Sequence, residues 1–258
     1  MRRTLTSIAF ALGLPLLLVA LWWAATAGGA SFFVPTPGTL FTTFVETWIG
    51  PRLWTDVLPS LGRFAVGVAI AIVLGVLLGL LVGLNRDLRA LTEPVFEFFR
   101  ALPPPVLVPV LMLIIGVDDT MKVVVIVSGS VWPVLLNTIE GVRGVDPVLG
   151  ETSRSYRIHG LSRVRYQILP AASPQILACV RQALPIGLIL MVISEMFASS
   201  SGLGFTIVQF QRQFAIPEMW SGILVLGLIG YGVAALFGFV ERRVLRWYHG
   251  LKELENAA

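Results

Sequence analysis

The sequence predicts an all-α membrane protein with about six transmembrane helices. Three observations carry that expectation. Hydrophobic residues make up 56% of the 258 and charged residues only 13%, with a mean hydropathy of +0.84, whereas a soluble domain carries about 25% charged residues. The apolar residues form long unbroken runs instead of recurring at the period of a half-buried helix or strand. The basic residues between those runs gather on alternate loops, as they do in multi-pass membrane proteins.

The first apolar run, 8–27, follows Arg2 and Arg3. It is long enough to span, while the apolar part of a secretory signal is about 7–15 residues. The small residues from Ala25 to Ala30 offer a cleavage site, but the membrane spans that follow favour an uncleaved helix. Trp22 and Trp23 then fall in the outer interfacial belt. A Pro- and Gly-bearing stretch follows to about Pro59, and within it Leu40 to Trp48 is amphipathic and expected at the membrane surface.

The second span is 61–84 and carries Gly67, Gly75, Gly79 and Gly83. Small residues four apart let helix backbones approach closely in lipid, so packing is their expected role. The third span, 96–115, is interrupted early by Pro103, Pro104 and Pro105, because proline lacks the amide donor and clashes with the preceding turn. Broken backbone at membrane depth must be shielded by protein or line a polar cavity. Glu97 and Arg100 lie three apart just before the break and can pair on one helix face, either as a structural ion pair or with a part in conformational change.

The fourth span, 123–139, follows a tiny loop holding Asp118, Asp119 and Lys122. The fifth covers 176–198, with Pro185 and Gly187 inside it, and the sixth covers 220–240. An even number of spans puts both termini on one side. With that side inside, Arg2, Arg3, Arg86, Arg89, Arg143, Arg154, Arg157, Arg163, Arg165, Arg242, Arg243, Arg246 and Lys252 are inner, against Arg52, Lys122 and Arg212 outside. Orientation thus explains the net charge of +4 better than nucleic-acid binding does. Cys179 has no second cysteine to pair with, and no Cys/His cluster suggests a metal.

Residues 140–174 are too polar to cross a bilayer and too long for a simple turn. Helical character runs from Leu149 to about His159, Gly160 permits a turn, and Leu161 to Leu169 resumes as a basic helix before Pro170 and Pro174. The segment reads as a helical hairpin presenting a short exposed helix to a partner. A basic inner loop that only sets topology is the plainer alternative. Glu195, near the outer end of the fifth span, must face a partner or a polar cavity, because an intramembrane acid is costly; pathway lining and helix anchoring are both open. His159 and His249 read as exposed scaffold, and no nucleophile–base set or phosphate-binding GxxxxGK[ST] loop occurs.

Glu151, Thr152, Ser153 and, nineteen residues after the glutamate, Leu169-Pro170 resemble the EAA loop of bacterial ABC-importer permeases. The departures are hydroxyl residues for the two alanines, and Arg157 where the family has glycine, with Gly160 three positions later. Glu97 to Pro103, Ser60 to Arg63 and Ser194 to Gly204 are similar in style to the nitrate/sulfonate/taurine branch, so the likeness runs from about Phe33 onward.

The resemblance implies a single permease domain over 1–258 with the type I importer fold, whose 140–174 loop is a coupling helix docking on a separate ATPase. Glu151, Arg154, Tyr156, Arg157 and Gly160 would face the ATPase or shape the loop, and Leu169 and Pro170 would set the return into the fifth span. Glu97, Arg100, Pro103 and Glu195 are the pathway or gating candidates. The chain itself would be no enzyme and hold no cofactor or metal; two ATPase subunits would bind ATP and magnesium. A second permease copy, an extracytoplasmic solute-binding protein and membrane lipid complete the implied partners, in a bacterial inner membrane with both termini cytoplasmic. The solute could be nitrate, a sulfonate, taurine or an aromatic or vitamin precursor. Because the spans are almost wholly apolar, no high-affinity site is expected in the pathway. The competing reading is a stand-alone secondary transporter or channel, which would call for an internal repeat or several mid-membrane charges.

Overall fold

A computed structural model describes residues 2–28, 32–197, 199–248 and 250, the first eleven of these by backbone only. All regular structure among them is helical. Each expected span falls on a helix: α1 (Arg2–Thr26), α3 (Leu58–Leu84), the pair α4 (Arg86–Ala101) and α5 (Pro104–Ile115), α6 (Asp119–Arg143), α9 (Leu169–Phe197) and α11 (Ile216–Val244). Of these, α3, α6, α9 and α11 are long and apolar enough to cross a membrane unaided. Ala198, His249 and Lys252 lie outside the described residues.

The expected third span is not one helix. It breaks after Ala101, and α4 and α5 meet at 92°. Pro103 caps α5 with extended backbone, and Pro104 occupies the first turn, where a missing N–H costs nothing. Only 12 residues continue as α5, about 18 Å and too short to span alone. α4 buries none of its residues and is strongly two-faced. Leu88, Leu91, Val95, Phe98 and Phe99 are all exposed, while the charges lie opposite.

The bundle centre is α3 against α6. Ideal Cβ atoms on Gly67, Gly75 and Gly79 would come within 2.6–2.7 Å of Ile126, Val134 and Thr138, and one on Gly83 within 3.0 Å of Val142. The glycine stripe therefore packs backbone against side chain, as its spacing predicts. α9 fits the same seam through Gly187, which abuts Val68 and Ser130.

Neither Pro59, the expected end of the stretch before the second span, nor Pro170, which reads as a helix stop, interrupts its helix. Widened π turns at Leu53–Val57 and Val164–Ile168 each precede a Leu-Pro pair, Leu58-Pro59 and Leu169-Pro170. In both, the leucine N–H reaches back five residues, to Leu53 and Val164. The extra residue relieves the clash a proline ring makes with the preceding turn. As a result α9 continues the short helix α8 (Gly160–Arg163), giving a 38-residue rod to Phe197 that starts well before the expected position 176.

The amphipathic segment forms α2 (Pro37–Trp48), opened by Thr36, whose Oγ1 accepts from the Thr39 N–H at 3.2 Å. Its buried face docks on α11: Trp48 Nε1 donates to Ser221 Oγ at 2.8 Å. The expected loop at Asp118 to Lys122 is instead the start of α6. Asp118 Oδ1 caps it by accepting from Met121 N at 3.0 Å, and Lys122 is buried. A further helix, α10 (Leu203–Arg212), lies between α9 and α11 where the sequence reading has only a loop.

Candidate functional site

The hairpin between α6 and α9 is built on α7 (Pro147–Ser155). Asp146 Oδ1 accepts from the Val148 N–H at 2.8 Å and Pro147 follows at the first position, a strong start signal. The helix ends at Ser155, short of His159. Its C-terminus closes with two bonds: Ile158 N donates to Ser153 O at 2.8 Å, and Arg157 N to Arg154 O at 3.0 Å. That pairing is a Schellman motif, with Arg157 at the position that must be left-handed. Arg157 indeed has φ 56°, so it keeps the glycine conformation without being glycine. Gly160, at φ 58°, makes the second turn.

The hairpin's inner seam is small and polar. Gly150 and Ser153 are buried, Ser153 Oγ donates to Gln167 Oε1 at 2.6 Å, and Arg163 Nε donates to the same oxygen at 3.3 Å. A small residue at 153 is required by this closure, and serine adds a bond that alanine would lack. Outward, Glu151, Arg154, Tyr156, Arg157 and Gly160 are all exposed. Tyr156 is 76% exposed, and Leu161 at 83% and Tyr166 at 69% add apolar surface to the same tip. Leu169 and Pro170 form the first turn of α9 directly after the π turn.

About 39 Å along α9 by helix rise, Glu195 occupies a different site. Its side chain is fully buried. Arg63 Nη1 donates to Oε1 at 2.6 Å, and Gly204 N donates to Oε2 at 3.0 Å, next to the N-terminus of α10. The Ser60 hydroxyl, with one proton to give, lies 2.7 and 2.9 Å from the two oxygens and accepts from Leu203 N at 2.9 Å. Gly202, at φ 115°, wraps so tightly that a Cβ there would meet the Glu195 carboxyl carbon at 2.5 Å. Arg63 Nε and Lys122 Nζ share Asp119 Oδ1 at 2.8 and 3.0 Å. Four helices, α3, α6, α9 and α10, thus meet in one charge-balanced cluster. Glu195 faces partners, not a cavity.

Glu97, Arg100 and Pro103 come together at the α4–α5 break. Arg100 Nη2 donates to Glu97 Oε2 at 2.6 Å, and both side chains are about half exposed. The structure does not join this pair to Glu195. The sequence points to Glu195 but assigns Ser60 and Arg63 no role, and it places Asp119 and Lys122 in a loop. No metal-binding group of His, Cys, Asp or Glu occurs among the described residues.

The chain is similar to known proteins. Residues 71–246 match the family model described as binding-protein-dependent transport system inner membrane component. The chain is 30% identical over 236 residues to a putative aliphatic sulfonates transport permease protein, SsuC, of Bacillus subtilis, covering 91% of this chain and 86% of that one. It is 32% identical to the Escherichia coli protein of the same description, covering 93% of each. The fold superposes on a chain of the MetNI methionine ABC transporter, solved in inward-facing conformations, with a TM-score of 0.63 over 75% of this chain and 98% of that one, at 18% identity. The polar hairpin, the glycine-packed helices and these matches agree: the chain belongs to the binding-protein-dependent transport system inner membrane component family, as an ABC-importer permease of the nitrate/sulfonate/taurine branch.

Proposed function

We propose that the chain is one of a pair of identical permease subunits that carry a small organic anion, of the aliphatic sulfonate kind, across a bacterial inner membrane. Two separate ATPase subunits bind ATP and magnesium and dock on the 140–174 hairpin, and a solute-binding protein delivers the cargo outside. The distribution of arginines supports a cytoplasmic side for both termini and the hairpin.

The observation that carries this reading is the hairpin's two-sided design. Its inner seam is closed by Ser153, Gln167 and Arg163, while Tyr156, Leu161 and Tyr166 remain exposed on a polar element. Large apolar side chains displayed together in this way mark a docking surface. Because α8, the π turn and α9 form one rod, a push on the tip is transmitted to the far end of the bundle.

The test is assembly of the permease with its candidate ATPase, comparing wild type with Glu151→Ala and Arg157→Glu. Co-purification with wild type, and loss of binding or of stimulated ATP hydrolysis in the variants, is the expected result. If no ATPase associates with the wild-type chain, the coupling reading is wrong and a self-contained transporter takes its place.

A further inference from the structure

The break at Pro103 opens a groove that the coupling hairpin does not use. The end of α4, the start of α5, the middle of α6 and one residue of α9 line an open groove of about 550 Å³, within the ordinary range for a small-molecule site. It shares Arg100, Leu136 and Glu140 with a neighbouring recess of about 220 Å³. One end of this continuous groove is charged and the other apolar.

At the charged end, two ion pairs face each other from α4 and α6: Arg100 with Glu97, and Arg143 with Glu140, each through one 2.6 Å bond within a single helix. A guanidinium has five N–H donors, so each arginine keeps donors for a second acceptor. Exposed pairs of this kind are weak and are exchanged at little cost. In the middle lies Trp132, its ring stacked on Phe99 with centroids 6.4 Å apart and planes at 5°. Among the described residues the Trp132 indole N–H has no acceptor. At the apolar end are Pro104 and Ile186.

We propose that this groove is a weak way-station for the transported solute. It takes a small organic oxyanion whose head lies on the free donors of Arg100 and whose short apolar body lies along Trp132 toward Ile186. The inference rests on the permease reading and adds to it a site and a ligand chemistry. The planar fork of arginine suits an oxyanion. Neighbouring glutamates keep the groove neutral, so the anion is not trapped; conduction requires a site weak enough to leave.

The test uses the full-length permease in lipid nanodiscs, with ethanesulfonate as the probe and ethylammonium as a cation of matching size. Saturation-transfer NMR on the ethyl protons is expected to show saturable, weak binding of ethanesulfonate and none of ethylammonium. Arg100→Gln should weaken ethanesulfonate about tenfold, the size expected for one lost charge-assisted bond, and Trp132→Ala severalfold. Retained ATPase docking in the same variants shows that they are folded. Equal binding by wild type and Arg100→Gln, no saturable ethanesulfonate signal in wild type, or preference for ethylammonium would each overturn the inference while leaving the permease reading intact. Failure of the wild-type chain to dock an ATPase overturns the permease reading instead.

Discussion

Arg63 Nη1 donates to Glu195 Oε1 across 2.6 Å, between two side chains that are 7% and 0% exposed. The pair ties α3 to the last turn of α9, and through the Gly204 N–H to α10. Removing Glu195 leaves the buried Arg63 guanidinium with Asp119 alone, an acid it shares with Lys122, so the cost falls toward the low end of the range of about 3–5 kcal/mol for breaking a buried pair. Glu195→Gln is therefore expected to lower the thermal unfolding midpoint of the purified permease markedly. The double variant Arg63→Gln, Glu195→Gln should recover part of that loss, since it restores charge balance. Additive losses in the cycle would show that the two residues act separately.

The left-handed Arg157 makes a prediction of opposite sign. A non-glycine residue in that conformation costs about 1 kcal/mol relative to glycine. Arg157→Gly should stabilise the end of α7, seen as slower amide hydrogen exchange at Arg157 and Ile158, the two donors of the closing bonds. Unchanged or faster exchange would argue against the motif. ATPase stimulation measured on the same variant then separates the guanidinium's contribution from that of the turn.

Within α3, glycines are not equivalent. A Cβ on Gly79 would sit 2.6 Å from Thr138 Cβ, whereas one on Gly62 meets nothing within 4 Å. Gly79→Val should overpack the α3–α6 seam by about 1–3 kcal/mol, and Gly62→Ala should be neutral or stabilising by a few tenths up to about 1 kcal/mol. Thermal midpoints of the two variants in one detergent decide it; equal effects would mean the helices are not in this register.

Trp48→Phe keeps the aromatic body on α11 and removes the bond to Ser221 Oγ at 2.8 Å. The expected cost is about 1 kcal/mol, and Ser221→Ala should cost less in the Trp48→Phe background than in wild type, because only the hydroxyl's donation to Glu218 O at 2.7 Å is then left to lose. Equal losses from Ser221→Ala in the two backgrounds would show that the indole and the hydroxyl are not coupled.

Four of the six expected spans, those on α3, α6, α9 and α11, are legible because long apolar runs are local signals. The turn of the hairpin is legible for the same reason, since Gly160 marks it, but the start signal at Asp146-Pro147 is passed over and α7 runs from Pro147 to Ser155 instead of from Leu149 to His159. What escaped was either non-local or disguised. Arg63 and Glu195 are 132 residues apart, and nothing in either neighbourhood announces the other. Pro170 reads as a stop because an α-helix does not carry a proline there, whereas the helix widens by one residue just before it; Pro174 reads as a stop too, yet lies inside α9. In α10, Leu203, Thr206 and Phe210 are buried at helical spacing, but the run Ser201 to Gly204 at its start reads as loop punctuation. Lys122 reads as loop because of its charge, although Asp119, one turn before it, supplies its counter-ion.

The π turn at Val164–Ile168 also makes the nineteen-residue interval from Glu151 to Pro170 a matter of phase. One residue of α-helix is about 100° of rotation. With the hairpin welded to α9, adding or deleting a single residue between Gly160 and Leu169 would swing Tyr156 and Glu151 round the rod by that angle while leaving every bond of the far cluster in place. Length in this stretch works like the tooth count of a gear: it sets the bearing of the tip, whichever side chains the tip carries.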